Sequence, residues 1–194
     1  DIIKYFSYIK EYFTEEDNEY YPKRYTIHFI LDRVTMDSFR THVVLSHLGE
    51  STRYCNYSKD KFNKEITFIK PEWCDIPTGE YELFEEDSTI DGLTIHHIDG
   101  NKNPLINTSN AIKAFLRNCD SAETNYFECL NNGWVPQQAR EVLPLSVKSE
   151  LISCGFEDAW SNFFYRRCAK DAHPMAREIA IPLQEKFLEI WKQE

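Results

Sequence analysis

Along this chain the spacing of apolar residues changes several times, and each change predicts an element. In "DIIKYFSYIKEYF", Ile2, Phe6, Ile9 and Phe13 recur at helical spacing, which predicts an opening helix. "TEEDNEYYPKR" interrupts it with charge and Pro22. "YTIHFIL" then sets Tyr25, Ile27, Phe29 and Leu31 against Thr26, His28 and Ile30, the two-residue period of a strand with one buried face. From Asp32 to His47 a helical period returns through Val34, Met36, Phe39, Val43 and Val44, placing His42 on a helix. The next run, "GESTRYCNYSKDKF", is almost devoid of aliphatic residues and predicts a polar loop.

Further on, "EITFIKPEW" predicts a short strand closed by Pro71. Residues 75–108 are punctuated by Gly, Asp, Asn and Pro, and read as loops or an insertion with a short strand or two. A long helix begins at Ser109 as its cap, runs through Ile112, Phe115, Leu116, Cys119, Tyr126 and Leu130, and stops at Asn132-Gly133. Pro136 opens a short helix that Pro144 closes. "SVKSELISC" reads as a strand. "FEDAWSNFFYRRCAK" reads as a helix with Trp160, Phe163 and Phe164 inward, and a last helix from Pro174 is kinked or restarted at Pro182. The sum is one α+β domain over residues 1–194, a small antiparallel sheet flanked by helices.

Composition narrows the function classes. With 22 Lys+Arg against 32 Asp+Glu the net charge is -10, which argues against general affinity for DNA or RNA but leaves room for a local cationic pocket. No apolar run reaches membrane-spanning length, and no secretory segment is evident, so a soluble, cytoplasmic protein is expected. The six Cys lie far apart without a C-x-x-C pair, which predicts reduced thiols and neither a zinc site nor a disulfide framework. "HHIDGN", with His96, His97 and Asp99, lacks a third ligand at a suitable spacing and reads as a solvated loop, with no metal.

Candidate chemistry rests on Arg53, Arg140, Arg166 and Arg167. A guanidinium grips phosphate or carboxylate through two parallel hydrogen bonds, and Ser51 beside Arg53 adds a hydroxyl in a loop. For any one of them a surface pair with one of the many acids is the competing reading. His42 reads as a satisfied core histidine or a site residue, and His173 as a cap. Neither a G-x-S-x-G elbow nor a P-loop nor a G-x-G-x-x-G run is present.

Three blocks in order carry a resemblance: Ser51-Thr52-Arg53-Tyr54, "AREVLPL" from Ala139, and "FFYRRCAKDAHPMAREIA". They resemble the flavin-dependent thymidylate synthases, whose motif is R-H-R, seven residues, then S-x-R-Y. The resemblance spans roughly residue 25 to the C-terminus. It implies a homotetramer with active sites shared between subunits, in which FAD is reduced by NADPH, methylene-tetrahydrofolate supplies a carbon, and dUMP becomes dTMP. Residue by residue, it implies that Ser51, Arg53, Arg140 and Arg167 bind dUMP. Arg167 would lie against the uracil as the catalytic group that stabilises charge developing on the ring. Thr41, His42, Val43 and Glu50 fall on the flavin side. Here the R-H-R positions read Thr41-His42-Val43, so two guanidiniums are missing, and Arg40 stands one place early, about 100° away around a helix. Two other outcomes stay open: a pyrimidine-nucleotide-binding relative with lost or altered C5 chemistry, and an oligomeric scaffold whose Arg only bridge subunits.

Overall fold

The computed structural model describes residues 2–3, 6–12, 23–59, 62–98 and 107–192. The chain forms two compact units, one of Asp1–Lys4 with Ser51–Lys148 and one of Tyr5–Glu50 with Ser149–Glu194.

The second of these units contains a four-stranded sheet in the order β2-β3-β8-β4. Its strands are β2 (Phe6–Tyr12), β3 (Arg24–Asp32), β4 (Ser46–Gly49) and β8 (Lys148–Phe156). β2 runs antiparallel to β3, and β4 antiparallel to β8. The helix expected at the start is therefore strand β2. Its run "FSYIKEY" is rich in aromatic and β-branched residues, and pairing with β3 outweighs an apolar spacing that only two turns supported. Phe13 lies outside the described residues.

β3 follows the predicted alternation, and its Tyr25, Ile27, Phe29 and Leu31 are buried. The chain then enters α1 (Arg33–Arg40), whose N-terminus is capped by Asp32: Oδ1 accepts from the Thr35 N–H at 2.9 Å. α1 stops well before His47. The Thr41 hydroxyl donates to the Ser38 carbonyl at 2.7 Å, a local bond that competes with a further helical turn. Val43 and Val44, expected on an inward helical face, sit instead in a turn, 89% and 61% exposed. α4 (Glu157–Arg167) and α5 (Pro174–Trp191) complete the unit. Trp160, Phe163 and Phe164 face inward as predicted and join Phe29, Phe39 and Phe187 in the core. The indole of Trp160 donates to the Tyr25 carbonyl at 3.1 Å, tying α4 to β3. α5 continues through Pro182 as one helix, and at its start the His173 carbonyl, not its side chain, meets the first free N–H groups.

The other unit is built on α2 (Asn110–Asn131), which Ser109 caps and which ends at Gly133, at φ 93°. Its Leu116, Cys119 and Tyr126 pack with Ile66, Phe68, Ile95 and Val147. Short β1 (Ile2–Ile3) pairs parallel with β5 (Phe68–Ile69), and β6 (Glu80–Glu85) forms an antiparallel hairpin with β7 (Leu93–Ile98). The predicted solvated "HH" loop is thus a strand: His97 is buried, and its Nε2 donates to the Thr78 carbonyl at 3.1 Å. Asp99 lies outside the described residues. α3 (Pro136–Ala139) and a 3-10 turn, Arg140–Val142, follow, as the two prolines predicted. All six Cys are free thiols. Among the described residues no helix is long and apolar enough to cross a membrane.

Candidate functional site

Each unit assembles one group of the expected residues. In the unit of α2, the run after Glu50 turns on itself: the Ser51 carbonyl accepts from the Tyr54 N–H at 3.0 Å and from the Cys55 thiol at 3.5 Å. This turn exposes Arg53, whose guanidinium stands 5.6 Å from the centre of the Tyr54 ring and has no hydrogen bond or ion pair among the described residues. Thr52 points inward, and Arg140 reaches it through Nη1 at 3.4 Å from the hydroxyl. The Arg140 Nε lies 3.4 Å from a Glu141 carboxylate oxygen, without hydrogen-bonding alignment. Ser51, Arg53 and Arg140 are therefore neighbours, although Arg140 is bonded to Thr52 and not to Ser51.

In the unit of α4, Arg167 is fixed from one side. Its Nε donates to His42 Nε2 at 2.7 Å, and its Nη2 donates to the Ser38 carbonyl at 2.7 Å and to the Thr41 hydroxyl at 2.9 Å. A guanidinium has five N–H groups. These bonds use three, and the Nη1 pair has no partner among the described residues.

The same bonds settle the state of His42. Arg Nε can only donate, so His42 Nε2 accepts and the imidazole is neutral with its proton on Nδ1. Burial strips hydration from the ring, which is 4% exposed. That loss chiefly, then the charges of Arg167, His47 and Arg166, lower its pKa from 6.5 to about 4. His47 holds the turn in place. Its Nε2 donates to the His42 carbonyl at 3.0 Å, and its Nδ1 therefore accepts from Ser153 at 2.9 Å. Burial lowers the pKa of His47 as well.

A cleft of about 560 Å³ opens on this group, lined by the turn Thr41–Val44 and by Asp158, Ala159, Asn162, Arg166 and Arg167 of α4. Thr41, His42, Val43 and Arg167, expected to act, share it; Glu50 does not line it, and contributes its carbonyl to Arg33 Nη1 at 3.4 Å. Arg40, one place early in the triplet, lines no part of it and stands 3.7 Å from Asp37. Asn162 was not expected to act, and Arg166, one of the four candidate cations, was not placed on the flavin side. Ala159, Asn162 and Arg166 follow a three- and four-residue spacing along α4, the only local signal that could have placed them on one face.

A sequence search of curated proteins finds no match. Among solved structures the fold is similar to the UMP/dUMP methylase PolB from Streptomyces cacaoi bound with 5-Br UMP, with TM-score 0.60 and 18% identity, over 86% of this chain and 70% of that one. The same methylase bound with 5-Br dUMP gives TM-score 0.57 and 18% identity over 86% and 67%. At that identity the likeness establishes the α+β fold. The family described as thymidylate synthase complementing protein matches residues 23–191, which includes β3, the Ser51–Tyr54 turn, Arg140 and Arg167. The chain belongs to that family.

Proposed function

We propose that the protein is a flavin-dependent thymidylate synthase that methylates dUMP reductively to dTMP, using methylene-tetrahydrofolate and NADPH. Family membership supports the coarser part, an enzyme that methylates dUMP at C5. The observation that carries the finer reading is the half-locked Arg167: three N–H groups held by His42, Ser38 and Thr41, and one nitrogen left for a ligand at the edge of a cleft.

In this reading Ser51, Arg53 and Arg140 supply donors for the dUMP phosphate, and Arg167 meets the uracil. Negative charge that develops on the ring is then stabilised by a guanidinium that needs no reorganisation. His42 works by position: neutral, it accepts from Arg167 and does not compete as a cation. Thr41, His42, Val43 and Glu50 are the proposed flavin-side residues. The cleft suits such a group, since exposed Val43 and Val44 offer apolar surface and the last turn of α4, which lines it, is positively charged. When bound, the flavin passes the reducing electrons of NADPH to the carbon that the folate supplies. The active form in this reading is a cytoplasmic homotetramer.

Purified protein mixed with FAD should show a flavin absorbance band shifted from that of free FAD. It should also release tritium from 5-tritiated dUMP only when NADPH and the folate are both present. Absence of both signals refutes the proposal. Thr41 and Val43, standing where the motif has Arg, favour the second reading, a relative that binds the nucleotide without flavin chemistry. Its mark is dUMP binding without FAD uptake.

A further inference from the structure

We propose that Arg166 takes over the anion-holding work of the two guanidiniums missing from the Thr41-His42-Val43 triplet, by gripping the diphosphate of the flavin dinucleotide. The inference rests on the flavin reading above and assigns a new binding residue within it.

Arg166 lines the cleft, is exposed, and has no hydrogen bond or ion pair among the described residues. Both its exposure and its place in the cleft lining leave its donors open to a ligand, with no surface pair to break first. The one acid of the same cleft does not fill the role: Asp158 turns an oxygen back to the Ala159 N–H at 2.8 Å. Arg166 also stands beside Arg167, and the neighbouring positive charge lowers the pKa of Arg167 after burial does. A bound anion would relieve that repulsion.

The alternative replacement, Arg40, is excluded by geometry. It closes α1, pairs with Asp37 across one helical turn, and does not line the cleft. Asn162, one helical turn before Arg166, adds an amide without a partner among the described residues. A planar guanidinium with an amide beside it suits the several oxygens of a diphosphate better than a single carboxylate.

Titrating FAD into the protein and following flavin fluorescence tests the assignment. Arg166→Ala should weaken FAD binding about tenfold or more, the loss expected for one charge-assisted contact. Arg166→Lys should recover part of it, and Arg40→Ala should stay within about twofold of wild type. Riboflavin, lacking phosphates, should bind wild type and Arg166→Ala alike. Affinity for dUMP and the melting temperature serve as controls and should not move. Wild-type affinity in Arg166→Ala overturns the proposal and leaves the flavin reading standing. Wild-type protein that takes up dUMP but no FAD overturns both.

Discussion

Arg167→Ala should shift the titration of His42 by an amount the geometry bounds. In the wild type the ring takes up its proton only near pH 4, because burial and the nearby Arg167, His47 and Arg166 all oppose the charge, and lost hydration is the largest cause. Arg167 is second. Since every cause acts in the same direction, the second accounts for less than half of the interval between about 4 and 6.5. Removing the guanidinium should therefore raise the midpoint, but no more than about halfway back to 6.5.

The sign for stability follows. The unfolded chain binds the proton near 6.5 and the folded chain near 4, so the contribution of His42 is fully present above pH 6.5. It is lost as pH falls toward 4, at most about 1.4 kcal/mol per pH unit, a ceiling that water in the cleft lowers. His47, also shifted downward, acts with the same sign, so the comparison with the variant is what isolates His42. Ring carbon and proton shifts followed by NMR from pH 3.5 to 8, assigned with His42→Asn, read the midpoint directly. Urea unfolding at pH 5 and 7.5 should show a smaller pH difference in the variant. A wild-type His42 midpoint near 6.5, or none of this change in Arg167→Ala, refutes the donor-acceptor assignment.

Other outcomes are expected. Asp32→Ala removes the buried cap of α1 and should cost about 1–2 kcal/mol in urea unfolding, with Asp32→Asn close to wild type. Gly79 has φ +141°, and an added Cβ would lie 2.6 Å from His97 Nε2, so Gly79→Ala should destabilise by more than about 1 kcal/mol in thermal melts. Arg53→Ala should abolish measurable calorimetric binding of dUMP while leaving the melting temperature unchanged, because the side chain is exposed and has no hydrogen bond or ion pair among the described residues. Phe163→Ala should cost about 3–5 kcal/mol, since its ring packs on Phe39 at 4.8 Å and on Trp160 at 5.4 Å, centroid to centroid.

Elements with one sustained period were legible in the chain. α2, from its Ser109 cap to its glycine stop, and the aromatic face of α4 follow from spacing alone. The opening strand is hidden in the sequence because apolar residues four or three apart over two turns fit a helix, while the pairing partner that decides the matter lies in β3. α1 is shorter than its apolar spacing predicts: the Val43-Val44 pair fits a buried helical face, whereas the turn after Thr41 carries both into the cleft. The site divides in the same way. Arg167 was found through its motif, but its partner His42 is 125 residues away, beyond any local rule. In the sequence Arg166 is one cation among several, because what distinguishes it is its place on the cleft wall beside Arg167, a property of the folded surface.

The order of strands also bears on how the chain is made. β8 lies between β3 and β4, and the Glu50 N–H meets the Glu150 carbonyl at 2.7 Å, so the chain leaves this sheet and returns to it at one place after about a hundred residues. During synthesis β3 and β4 therefore emerge long before the strand that joins them. A ribosome stalled before Lys148 would hold a compact intervening segment together with an open, pairing-ready strand edge. That edge is where a nascent chain of this protein is most exposed to chaperones and to its own neighbours.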